Sequence, residues 1–129
     1  MDHEAYRSYH AVDLQARTAS ASPVQLVLIL MDGLLEEIAR ARAHIVGRRF
    51  EKKADSLNKC VEILNGLSSA LDLETGGEVV ANLHRLYDYC AWRLHQAGIK
   101  LDPSGLDEVS GHLETIKRGW TGVQAKQAA

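Results

Sequence analysis

Several absences narrow the possibilities before any motif is read. There are two cysteines in 129 residues, Cys60 and Cys90. They form no Cys-x-x-Cys motif and sit inside helical patterns, so they read as small core side chains in a reducing compartment. Charge of one sign is not in excess: 15 Lys and Arg stand against 17 Asp and Glu, a net charge of −2. That balance gives no electrostatic reason to expect nucleic acid as a partner. No apolar run is long enough to cross a bilayer, and the opening MDHEAYRSYHAVDLQARTASAS lacks the apolar centre of a secretory signal. A cytoplasmic protein without membrane insertion is expected.

Catalytic signatures are missing as well. A di-iron bundle uses Glu-x-x-His pairs to aim carboxylate and imidazole at one ion, and none of the 6 histidines follows a glutamate by three positions. There is no His-Glu-x-x-His, no Walker loop and no Gly-rich nucleotide turn. His84 and His95 share the polar side of one helical pattern and read as solvated side chains. No metal, cofactor or enzymatic activity is expected. The enzyme-like alternative is a histidine phosphotransfer bundle built on His84. There the small residue and lysine that usually follow the histidine are replaced by Tyr87 and Asp88, and a carboxylate repels a phosphoryl group.

What is present is helical patterning. Residues of the AVILMFWYC set make up 46% and charged residues 25%, which suits one globular domain with its own core. Residues 36–60 hold seven Arg and Lys against four acids, and residues 61–115 hold three against nine. Such unevenness reads as the solvated faces of helices.

Four helices are legible. Ser22, Pro23 and Gln25 form a capping box with proline at the first helical position, and the helix they open ends near Gly47. Val24, Val27, Leu28, Met31, Leu34, Leu35, Ile38 and Ile45 gather on one stripe at about 100° per residue. The second helix runs from about Phe50 to Leu71, with Phe50, Ala54, Leu57, Val61, Leu64, Ser68 and Leu71 as its core line, flanked by Cys60, Ile63 and Leu67. Thr75 and Glu78 cap a third helix that buries Val79, Val80, Leu83, Leu86, Tyr87, Cys90 and Leu94 and stops at Gly98. Asp102-Pro103-Ser104 restarts the chain into a last helix lined by Leu106, Val109, Leu113, Ile116, Trp120 and Val123, fraying beyond Gly119 and Gly122.

Short connections between long helices force antiparallel neighbours. The expected fold is therefore an all-α, antiparallel up-down four-helix bundle over residues 22–125. Ahead of it lies a short N-terminal arm or short capping helix, 1–21, carrying Tyr6, Tyr9 and Val12, and behind it a disordered tail, 126–129.

More apolar surface is present than such a bundle hides. Leu26, Ile29 and Leu30 fall outside the first stripe, and Tyr89 and Trp92 lie opposite the third. Two surplus faces imply a groove for a partner, with the arm tyrosines as a natural occupant that either swings away or packs there permanently; homodimerisation through the same faces is the alternative. The partner-binding residues expected are Tyr6, Tyr9, Leu26, Ile29, Leu30, Tyr89 and Trp92.

Tyr6-x-x-Tyr9, Thr18-x-x-x-Ser22-Pro23-x-x-Leu26, Leu30-Met31-Asp32-Gly33, Leu67-Ser68-Ser69-Ala70-Leu71, Gly76-Gly77, Leu83-x-x-Leu86-Tyr87-Asp88-Tyr89 and Leu106-x-Glu108-Val109 followed by Trp120 occur in that order. The ordered set closely resembles the flagellin-specific export chaperone family FliS over about residues 6 to 120. Met31 and Trp92 depart from the family's usual choices. The resemblance implies a cytosolic, nucleotide-independent chaperone. It would hold the disordered C-terminal segment of flagellin, prevent premature polymerisation and present the client to the cytoplasmic domain of the flagellar export gate. It also leaves open contact with the anti-sigma factor or other flagellar regulators.

Overall fold

The computed structural model describes residues 21–71 and 76–128, and within them the chain forms four α-helices and no strand. They are α1 (Pro23–Val46), α2 (Phe50–Ser69), α3 (Gly77–Lys100) and α4 (Pro103–Ala128). Each helix packs against two others: α1 against α2 and α4, and α3 against the same two. This is the square of an antiparallel bundle. The arm residues Tyr6, Tyr9 and Val12 lie outside the described residues.

The start of α1 follows the sequence reading. Ser22 Oγ accepts from Gln25 N at 3.2 Å, and the Gln25 side chain accepts from Ser22 N at 2.8 Å, so two otherwise unpaired amides are satisfied reciprocally. The start of α3 differs. Its N-cap is Gly76, with no side-chain cap, and Gly77 takes φ +60 with open space around it. Backbone freedom explains that glycine, because a left-handed φ penalises any Cβ. Thr75, the expected cap, lies outside the described residues.

Gly98 does not end α3, which continues to Lys100 and is capped by Leu101 in the left-handed region at φ 53. Gly98 is buried, and a Cβ there would collide with Leu57 Cδ1. Close approach of α2 and α3, rather than termination, is what needs glycine. The last helix starts as expected: Asp102 Oδ1 accepts from Ser104 N at 3.0 Å and from its hydroxyl at 2.6 Å. α4 then runs through Gly119 and Gly122 to Ala128.

The core is one cluster. Met31, Leu34 and Ile38 of α1 meet Cys60, Leu64 and Leu67 of α2, Tyr87, Cys90 and Leu94 of α3, and Leu106, Val109 and Leu113 of α4. A large apolar side chain removed from water in this way contributes about 1.5–3 kcal/mol. Burial raises the Cys60 thiol to about 12 and the Cys90 thiol to about 11, so both remain protonated core residues.

Two sequence-derived core lines are corrected. In α2 the buried positions are Ser56, Cys60, Leu64 and Leu67. The line through Phe50, Ala54, Leu57 and Val61 is rotated onto the flank, with Phe50 43% exposed. In α3, Val79 is exposed at the first turn and Val80, Leu83 and Leu86 are half-buried. A stripe wider than one helix contact can fill leaves its outer members at the rim.

Candidate binding cleft and flanking apolar surfaces

The four seams between neighbouring helices are not equivalent. The α1–α4 seam carries two ion pairs, Arg42–Asp107 at 2.8 Å and Lys117–Asp32 at 2.7 Å. The α3–α4 seam is tied at Glu108. Tyr89 donates its hydroxyl to Oε2 at 2.6 Å, Arg93 donates Nε to Oε1 at 3.0 Å, and His112 Nε2 lies 3.2 Å from Oε2. The Tyr89 hydroxyl and the Arg93 guanidinium hold the Glu108 carboxyl down at about 2.

The α2–α3 seam is different. Among the described residues its side-chain hydrogen bonding is one contact, Lys53 Nζ to the Gly98 carbonyl at 3.0 Å, and no ion pair crosses it. There the surface opens into a cleft of about 230 Å³, lined on α2 by Lys53, Ala54, Leu57, Asn58 and Val61 and on α3 by Leu94, His95, Gly98 and Ile99. Ile99 is 69% exposed at one end. Phe50 stands a turn before Ala54 on the same flank, with the Arg48 guanidinium 5.7 Å above its ring. The walls are mostly apolar with a few polar groups.

The same end of the bundle is cationic. Arg48, Arg49, Lys52 and Lys53 cluster around the single acid Glu51. Arg49 folds back onto α1, donating Nε to His44 Nδ1 at 3.0 Å and Nη2 to the Ala43 carbonyl at 3.1 Å. Partial burial and the charges of Arg49 and Lys52 lower the His44 pKa.

The residues expected to bind a partner fall into two places. Tyr89 and Trp92 sit together on α3 with ring centroids 5.9 Å apart, and Trp92 is 55% exposed. His112 packs edge-on to Tyr89 at 5.9 Å. Leu26, Ile29 and Leu30 are half-buried on α1. Leu30 packs against the core, close to Gly66 of α2. Tyr6 and Tyr9 lie outside the described residues.

The expectation that the α1 and α3 surpluses flank one groove is corrected. First and third helices of an up-down square lie across its diagonal, so their outer faces belong to different seams. The sequence pattern puts Leu57 and Val61 in the core and His95 on a solvated face; in the structure all three line the cleft, and Leu57 also packs against the core. A signal was present: α2 carries two apolar lines, through Phe50 and through Cys60, where one suffices for the core.

No group of three or more His, Cys, Asp or Glu among the described residues could hold a metal ion, and no described helix is long and apolar enough to cross a membrane. His84 is half-buried on α3 beside the fully buried Tyr87. The described residues form a four-helix bundle with exposed apolar side chains on α2 and α3.

Comparison with known proteins gives that class its family. The family described as "Flagellar protein FliS" matches residues 5–127. The chain is 40% identical over 120 residues to "Flagellar secretion chaperone FliSB" of Pseudomonas aeruginosa, covering 93% of this chain and 95% of that protein. It is 37% identical over 121 residues to "Flagellar secretion chaperone FliS" of Salmonella typhimurium, covering 93% and 90%. Identity to the protein of the same name from Bacillus subtilis is 34% over 101 residues, covering 78% and 74%. The chain belongs to the FliS family of flagellar secretion chaperones. That is a chaperone family and not an enzyme family, which decides against the phosphotransfer alternative at His84.

Proposed function

We propose that this protein binds the disordered C-terminal segment of flagellin in the cytoplasm, keeps it from polymerising prematurely and hands it to the cytoplasmic domain of the flagellar export gate. The observation that carries the reading is the open α2–α3 seam, where an apolar cleft and exposed Phe50 and Ile99 stand uncovered in a chain of this family. A disordered client loses conformational entropy on docking, and offsetting that loss takes burial on the order of 1,000–3,000 Å². A cleft of about 230 Å³ cannot supply such an area alone, so the contacts continue outside it.

Trp92 and Tyr89 on α3, and Leu26 and Ile29 with the rim of Leu30 on α1, are the further strips. One long segment wrapping the bundle reaches strips on different corners, which a single rigid helix cannot do. Client helices lay their apolar sides onto these strips. Tyr6 and Tyr9 of the arm serve as cover or as additional contacts. No nucleotide is required, because release follows transfer to the gate. Contact with the anti-sigma factor or other flagellar regulators belongs to the same reading as a secondary partnership.

Calorimetric titration with the cognate flagellin, followed by circular dichroism, tests this. Binding with a gain of helix, lost when the C-terminal segment of flagellin is deleted, is the expected result. Equal binding of flagellin lacking that segment contradicts it.

A further inference from the structure

One end of the bundle, made by the α1–α2 and α3–α4 turns, carries a surface that neither the core nor the cleft uses. Antiparallel connections put both turns at this end, and the 3.0 Å hydrogen bond from Lys53 Nζ to the Gly98 carbonyl ties them together. Residues 46–53 and 98–102 hold five cations, Arg48, Arg49, Lys52, Lys53 and Lys100, against two acids, Glu51 and Asp102. Asp102 is already engaged: Oδ1 accepts from Ser104, and Oδ2 lies 3.7 Å from Arg93 Nη2. None of the five cations enters an ion pair among the described residues. In a chain of net charge −2, this end is a local reversal of sign.

Large apolar side chains stand among those charges. Val46 is 63% exposed and Leu101 41%, and neither lines the cleft, joins the core or packs against it. The backbone adds a second observation. Among the described residues the non-glycine positions with positive φ are Arg48, at 58, and Leu101, at 53, one in each turn. Glycine takes that conformation freely, whereas a Cβ is strained in it. Each turn therefore presents a long side chain, one a guanidinium and the other an apolar isobutyl group, where local geometry favours no side chain at all. Strain kept at exposed positions points to a use for the side chains that cause it.

Cations interleaved with exposed apolar groups at the tip of a bundle are complementary to an anionic lipid surface. Phosphate headgroups attract the cations, while the apolar side chains enter the boundary between headgroups and acyl chains. An acidic polypeptide would answer the cations alone and leave Val46 and Leu101 in water.

We propose that the tip formed by the α1–α2 and α3–α4 turns is a peripheral docking surface for anionic phospholipid, with Arg48, Lys52 and Lys100 on the headgroups and Val46 and Leu101 at the acyl boundary. The attachment goes beyond the client reading and does not depend on it, because it needs no flagellin.

Flotation of the full chain with vesicles tests it, one set made of equal parts phosphatidylglycerol and phosphatidylcholine and the other of phosphatidylcholine alone. At low salt, binding to the anionic set is expected to exceed binding to the neutral set by about tenfold or more and to weaken as salt rises. Background binding to the anionic set overturns the proposal and leaves the tip to an acidic protein. Equal binding to both sets overturns it too. Arg48→Glu is expected to weaken vesicle binding about tenfold, whereas Arg118→Glu, the same change of charge far along α4 from the tip, shifts it by less than about twofold. Equal losses from the two variants show that only net charge is read, and overturn the proposal. Leu101→Gly suits the left-handed backbone and should lower binding about fivefold with the helix content unchanged by circular dichroism. Full binding by this variant removes the apolar contact and overturns the proposal as stated.

Discussion

The α1–α4 and α2–α3 seams lie on opposite sides of the same square and are built on opposite terms. The first is closed by Arg42–Asp107 and Lys117–Asp32 over a continuous core. The second has a buried glycine, among the described residues a single lysine-to-carbonyl side-chain hydrogen bond, and a cleft with exposed apolar residues at its end. Exposed ion pairs add little to stability, with a median contribution of about 0–1 kcal/mol. What they do is occupy side chains and fill the surface above the core. Where they are missing, apolar side chains remain available to another molecule. The difference teaches that one seam of a bundle can leave apolar side chains exposed while the opposite seam is bridged by ion pairs.

The contrast can be broken from several directions. The largest expected effect is on the shared core. Leu34 is fully buried, so Leu34→Ala should lower unfolding free energy by about 2–5 kcal/mol, read from chemical denaturation. An equal loss from substitution on the cleft flank would erase the distinction between core and rim. Next comes client binding. Ile99→Glu, at a position 69% exposed, should weaken flagellin binding at least tenfold while denaturation stays within about 0.5 kcal/mol of the wild type. Binding that survives this change places the site away from the open seam.

A third test concerns the sealed interior beneath both seams. With thiols raised to about 12 and 11 by burial, Cys60 and Cys90 should resist a thiol reagent at pH 8 in the folded protein and react together only on unfolding. Rapid reaction of either one under native conditions means that the core opens locally.

The smallest effect involves the tied α3–α4 seam. The Glu108 carboxyl is depressed from 4.5 to about 2, first by the Tyr89 hydroxyl and then by Arg93. A depressed carboxyl contributes stability that is present in full above its ordinary value and is lost as pH falls toward the folded value. Glu108→Gln should therefore flatten the decline of stability between pH 4.5 and 2. An unchanged acid limb shows that the Tyr89–Glu108–Arg93 cluster does not couple to folding.

Much of the architecture was legible in the sequence, because helix signals are local. Ser22, Pro23 and Gln25 define the start of α1 through their own hydrogen bonds, and Asp102 does the same for α4. Short connections then impose the antiparallel square. The exposure of Tyr89 and Trp92 was legible too, since both lie opposite the buried face of α3. The cleft was not. Its position depends on which of two apolar lines of α2 turns inward, and that is decided by Gly98 letting Leu57 approach α3, a contact between residues far apart in the chain. Periodicity marks how much of a helix is apolar, but it does not say which neighbour each part meets. For the same reason, the surpluses on α1 and α3 could be identified singly, whereas the diagonal that separates them comes from the packing.

Hydrogen–deuterium exchange of the chain with and without flagellin tests the central claim most directly, because it compares the two seams in one experiment. New protection is predicted over α2 from Phe50 to Val61 and over the last turns of α3 around His95 and Ile99, with the Arg42–Asp107 and Asp32–Lys117 regions unchanged. Protection appearing along the α1–α4 seam while the α2–α3 cleft continues to exchange at its free rate would contradict the account.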